Sequence, residues 1–169
     1  MSRNKWTVSA EEEPNLLLRD NVKMHFTASA WVLNPSKDKV LMLYHNIYQS
    51  WSWSGGHADG EGDLLSVAMK EVKEESGLVS LKPLSDSPIS IEILGVQPHY
   101  KKQKYVSAHL HLNYTFLLHN TKEEKLKICP EENSKVGWLS PDEAVRSSTE
   151  AWMKPIYKKL NQKMRKYLG

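Results

Sequence analysis

The sequence predicts an α/β fold in which helices cover a mixed sheet. Three observations carry this. Short segments rich in β-branched and aromatic residues, each closed by turn residues, recur along the chain. Asp63–Ser76 changes to a helical period. Strands and helices alternate irregularly, and a mixed sheet with helices packed on it buries both kinds of apolar surface in one domain.

The elements follow in order. Residues 1–22 are polar except for Leu16-Leu17-Leu18, which reads as the start of a small helix. His25 to Leu33 reads as a strand stopped by Asn34-Pro35, and Val40 to Tyr44 as a second strand, forming a hairpin with the first. Trp51-Ser52-Trp53 leads to Gly55-Gly56. From Asp63 to Ser76, Leu64, Leu65, Ala68 and Val72 make one apolar stripe, with Asp63 as N-cap and Gly77 as stop. Ile89 to Val96 alternates as a strand does. Val106 to Leu118 reads as the longest strand, with His109, His111, Asn113 and Thr115 on one face. Lys135 to Leu139 is a short strand, and Pro141 opens a helix. A last helix is expected over about 149–167, its stripe of Trp152, Ile156, Leu160 and Met164 docking on the domain or on a second subunit.

Bulk composition narrows the function. A chain of 169 residues, 40 % apolar and 25 % charged, fits a single domain, with a core over about 24–145 before the last helix. A net charge of +3 gives no reason to expect nucleic-acid binding. Lys154, Lys158, Lys159, Lys163, Arg165 and Lys166 on the last helix read as a solvated face. One cysteine, Cys129, permits no intrachain disulfide and suggests a reducing compartment. Neither a signal peptide nor a membrane span is expected, so the expected location is cytoplasmic. A homodimer is the expected assembly, on the last helix's stripe and the tryptophan-rich composition.

The chemistry is concentrated in Gly56-His57-Ala58-Asp59-Gly60-Glu61-Gly62-Asp63 and the helix after it, which ends Lys70-Glu71-Val72-Lys73-Glu74-Glu75-Ser76-Gly77-Leu78. Offsets of three and four residues put Glu71, Glu74 and Glu75 on one helix face. Three like charges there repel, and a hard divalent cation would neutralise them. Mg²⁺ prefers oxygen donors and commonly links carboxylates to substrate phosphates. The bland reading is a solvated acidic face. For an arbitrary glutamate-rich helix that reading would carry most of the weight.

Gly56, Glu71, Val72, Glu74, Glu75, Gly77 and Leu78 match the Nudix box, and the segment resembles that of the Nudix hydrolases. The entry through Trp-x-Trp and Gly-Gly is similar too, as is Glu132 placed six residues before Trp138. The resemblance implies an α/β/α sandwich and Mg²⁺-dependent hydrolysis of a diphosphate linkage in a nucleoside diphosphate derivative or related small molecule, with Mn²⁺ as the substitute ion. It implies metal ligation by Gly56, Glu71, Glu74 and Glu75, and a catalytic acid or base among Glu74, Glu75 and Glu132. His57, Lys70, Tyr48 and Tyr100 are the candidate substrate contacts. The chain departs from the box at two places that commonly pair: Gly62 replaces a glutamate and Lys70 an arginine. Asp63, or else Glu61 in the turn, is the candidate to supply Lys70 with the missing charge. Ser54 stands where a proline is frequent.

Other residues have plainer readings. His109 and His111 could touch a phosphate or metal, but no third ligand at metal spacing is visible, so a polar sheet face is expected. Trp51 and Trp53 read as core. Tyr105, like Tyr48 and Tyr100, is a candidate for stacking on a base. Cys129 reads as an inert thiol. Two other functions compete with hydrolysis. One is a silent nucleotide-binding regulatory domain of the same family, against which the intact carboxylate trio argues. The other is an isopentenyl-diphosphate-isomerase-like enzyme, suggested by His25-Phe26-Thr27-Ala28-Ser29. Its cysteine before Gly-His is Gly55 here.

Overall fold

A computed structural model of the chain describes residues 16–169. The sheet is built on β1 (Met24–Leu33) and β9 (His109–Asn120), which pair in parallel over their length, from Met24↔Leu110 to Leu33↔His119. Every other strand pair among the described residues is antiparallel. β2 (Val40–His45) meets β1 only at Leu33↔Val40. It then pairs with β3 (Ser50–Ser52) and β10 (Asn133–Leu139). β4 (Ser54–His57) takes over the same edge of β1, from Thr27↔His57 to Ala30↔Ser54. β5 (Leu81–Pro83) and β6 (Ser90–Val96) line the far edge of β9. The expected hairpin is therefore closed only at its base. Asn34 holds that base, its Oδ1 accepting from the backbone N–H groups of Asp38 and Lys39.

β1, β2 and β9 are buried on both sides, and their residues divide between two cores by alternation. Ala28, Ala30, Val32, Leu41, Phe116 and Leu118 pack under α1 (Leu64–Ser76). Trp31, Leu33, Val40, Met42 and Leu117 pack under α2 (Pro141–Arg146) and α3 (Lys154–Leu168). The result is the expected sandwich, one helix on one face and two on the other.

Helix ends obey local chemistry. Asp63 caps α1 by accepting from the Ser66 N–H at 3.2 Å, an interaction worth about 1 kcal/mol. Gly77 ends α1 at φ 77°, a left-handed conformation that costs glycine little. Ser140 and Glu143 form a reciprocal capping box on α2.

Several boundaries differ from expectation. Leu16–Leu18 forms turns, not a helix, because its carbonyls are engaged elsewhere: Leu16 accepts from Phe26 N and Leu17 from Gly60 N. The long strand expected from Val106 is broken. A separate two-stranded ribbon, β7 (His99–Lys101) and β8 (Lys104–Val106), turns through Lys102 and Gln103 at positive φ, and β9 starts only at His109. The last helix begins at Lys154 instead of about 149. Pro155 lacks an N–H and is confined to the first turn, so it fixes the start. The stripe of α3 is used within this chain, with Leu160 and Met164 buried against the sheet and Trp152 57 % exposed. No described helix is long and apolar enough to cross a membrane.

Candidate active site

α1 lies across β4, and the two elements form the centre of the site. Glu75, buried near the end of α1, turns towards β4. Its Oε1 accepts from the Ser54 hydroxyl at 2.9 Å and the Gly55 N–H at 3.1 Å. One turn earlier, Glu71 lies against Gly56. A Cβ on Gly56 would stand 2.3 Å from the Glu71 carboxyl carbon, so the approach exists only because position 56 has no side chain. Glu74 is more exposed, and Lys70 lies 3.7 Å from its carboxylate. Lys70 does not pair with Asp63, whose carboxylate is engaged by the Ser66 N–H and hydroxyl.

The segment carrying Glu132 is tied to the same helix. Asn133 Nδ2 donates to the Glu75 backbone carbonyl at 3.0 Å, while Asn133 Oδ1 accepts from the Cys129 N–H. Glu132 is close enough that its charge raises the pKa of both Glu71 and Glu75. Burial is the main cause at both. It pushes Glu71 up to about 7, assisted by Glu74, and Glu75 up to about 8, opposed by the Ser54 hydrogen bond.

Four histidines gather at the open end of β1, β4 and β9. His25 lies opposite His111 in the parallel pairing, and His57 opposite Thr27. Burial holds His57 down to about 3 and His111 to about 2. Further along the same face, the Thr27 and Ser29 hydroxyls donate to Asn113 Oδ1, both at 2.9 Å. A cleft of about 200 Å³ is lined by His111, Tyr48, Trp53, Leu94, Glu150 and Trp152, among others. Tyr48 packs against His45 at a tilt, with ring centroids 4.6 Å apart. Tyr100 and Tyr105 are 72 % and 63 % exposed on the β7–β8 ribbon, facing each other, and neither lines the cleft.

Sequence reasoning missed four contributors. Arg19 forms a two-pronged ion pair with Asp59, at 2.8 and 2.6 Å, and lies close enough to feel the charges of Glu71 and Glu132. Ser54 and Asn133 position Glu75. His25 completes the histidine cluster. Only the departure of Ser54 from the usual proline gave any sequence signal.

A family model for the NUDIX domain matches residues 23–160. No curated protein matches the chain in sequence. Among solved structures, an Ap4A hydrolase binary complex from C. elegans is similar at 18 % identity with a TM-score of 0.61, covering 81 % of this chain and 95 % of that one. A NUDIX-family hydrolase from Clostridium perfringens is also 18 % identical, with a TM-score of 0.60 and coverages of 83 % and 96 %. The dihydroneopterin triphosphate pyrophosphohydrolase of E. coli is 16 % identical, with a TM-score of 0.57 and coverages of 79 % and 92 %. At these identities the structures establish the shared fold, and the family model, which spans most of the chain, establishes membership: the chain belongs to the Nudix hydrolase superfamily.

Proposed function

We propose that the chain hydrolyses a diphosphate linkage in a nucleoside diphosphate derivative or a related small molecule, using Mg²⁺. The observation that carries this is the packing of half-buried Glu71 and buried Glu75 against Gly56 and Gly55. Burial, helped by repulsion from neighbouring carboxylates, raises both carboxyl groups so that they hold protons near neutral pH, and a divalent cation would replace those protons. The donor set is all oxygen, as a hard ion requires: Glu71, Glu74, Glu75 and the Gly56 carbonyl. When bound, Mg²⁺ supplies neutralisation of phosphate charge.

The chain's own groups do the rest. Ser54 and Gly55 fix Oε1 of Glu75, leaving Oε2 for the ion or the attacking water. Glu74 and Glu132 are the other candidates for the base. Lys70, paired with Glu74, limits like-charge repulsion on the helix face. Arg19 places a cation near the carboxylates, where it can meet a substrate phosphate. Tyr48, Trp53 and Trp152 offer rings to a planar base in the cleft, which His111 also lines, and His57 lies beside His111. The activities named for the C. elegans and E. coli neighbours belong to the same reaction class.

A screen of nucleotide sugars, dinucleoside polyphosphates, ADP-ribose, NADH and nucleoside triphosphates with Mg²⁺ tests the reading. Phosphate-containing products should form with at least one substrate, and chelation should abolish them. Glu74→Gln and Glu75→Gln should each lower kcat by about 10² or more. Near-normal turnover in both variants would remove the carboxylates from the mechanism. Trp152→Ala should raise KM several-fold with little change in kcat, because the exposed ring can bind only the part of the substrate away from the reaction.

A further inference from the structure

His25, His109 and His111 converge although only two of them are near in sequence. Their ring centroids form an almost equilateral triangle, with sides of 4.9, 5.0 and 4.9 Å. One nitrogen from each lies within 4.8 Å of the others. Tetrahedral zinc with Zn–N bonds of about 2.0–2.1 Å would hold imidazole centroids about 5 Å apart.

The hydrogen bonding is what a ligand set needs. His25 Nδ1 is 3.0 Å from the Asn21 carbonyl oxygen, and His109 Nδ1 is 2.8 Å from that of Ser107. A carbonyl only accepts, so in both rings Nδ1 carries the proton and Nε2 presents its lone pair. Metal-bound histidines are oriented in this way, the outer nitrogen donating to a carbonyl. The Nε2 atom of His25 is buried with no hydrogen-bond partner, an arrangement that costs free energy unless something binds there. His109 Nε2 points at His111 Nε2, 3.0 Å away. Without an ion, His111 must donate to His109 across that gap.

We propose that His25, His109 and His111 form a second metal centre, a three-nitrogen site for a divalent ion of the zinc class. It differs from the box site in donor chemistry. Imidazole nitrogens suit zinc, cobalt and nickel, whereas Mg²⁺ selects the carboxylates. Binding requires His111 to carry its proton on Nδ1, freeing the third lone pair. His57, whose centroid is 5.1 Å from that of His25 and 5.0 Å from that of His111, flanks the fourth position. His111 also lines the cleft.

Co²⁺ titration of the full chain, stripped of metal, tests the site without reference to activity. The wild type should bind one equivalent with the strong visible absorption of a four-coordinate ion, in the presence of excess Mg²⁺. His109→Gln and His111→Gln should lose that absorption and bind Co²⁺ about 100-fold more weakly or worse. Glu74→Gln should keep it. Long-range ¹H–¹⁵N spectra of the unmutated protein give a second readout that needs no variant. Adding Zn²⁺ should shift Nε2 of His25, His109 and His111 together. Absent four-coordinate absorption in the wild type, absorption that survives both histidine substitutions, or unmoved Nε2 signals would each overturn the proposal. Because Glu74→Gln disables the box alone, failure of the histidine site and failure of the hydrolase reading are separately visible.

Discussion

At the scale of single residues, two adjacent glycines make different predictions. A Cβ at Gly56 meets the far end of the Glu71 side chain, which can swing away. A Cβ at Gly55 meets the Ser29 hydroxyl at 2.6 Å and the Ala28 carbonyl at 2.8 Å, the latter fixed in the central strand. Gly56→Ala should therefore fold with a stability loss of about 1 kcal/mol or less, yet lower kcat by about 10², since Glu71 can no longer lie against the backbone at position 56. Gly55→Ala should cost about 1–3 kcal/mol through overpacking. Urea unfolding of both variants, with turnover measured per folded molecule, separates them. A Gly56→Ala enzyme of normal activity would show that the Glu71 approach has no part in catalysis.

Among the elements, α1 was the most legible. Its period, cap and stop are all local, and so are the spacings of Glu71, Glu74 and Glu75. What was not legible depends on pairing across the chain. His25 reaches His111 only through a parallel register spanning 86 residues, and the turn at Lys102-Gln103 has neither Gly nor Asn to announce its positive φ. Pro155 did mark the start of the last helix, but the apolar stripe drew the boundary too early. The ion pair between Arg19 and Asp59 is a further long-range contact that sequence could not assemble. Arg19 holds the Asp59 carboxyl below its ordinary range, chiefly through their hydrogen bond. A depressed folded-state pKa means stability that is present above the unfolded value of about 4 and is lost as pH falls through the folded one. Arg19→Met should cost up to about 1 kcal/mol at pH 7, since the pair is half exposed. That difference from wild type should shrink as the pH falls below about 4. Unfolding curves for the two proteins that stay equally spaced from pH 7 to pH 3 would assign the cost to packing rather than charge.

For the whole molecule, the sandwich separates the burden of stability from that of chemistry. α1 and the carboxylates belong to one core, while the other, under α2 and α3, is organised by Tyr157. This ring is fully buried, stacks on Trp31 at 5.4 Å, and meets Trp53 edge-on at 5.6 Å. Its hydroxyl accepts from the Trp53 backbone N–H at 3.3 Å, beside the strand that carries Ser54 and Gly55. Tyr157→Phe keeps the ring but leaves that N–H without an acceptor, which should cost about 1–3 kcal/mol. The effect should not reach the chemistry. Ser54 and Gly55 are held independently by their pairing with Ala30 and Ser29 in β1, and by their hydrogen bonds to Glu75. The barrier should therefore change by less than about 0.7 kcal/mol, or about threefold in kcat. Urea unfolding and turnover on the same preparation decide the matter. A tenfold or greater loss of kcat in fully folded Tyr157→Phe would mean that the second core sets the position of Glu75 through β4, and that the two faces of the sheet act as one unit.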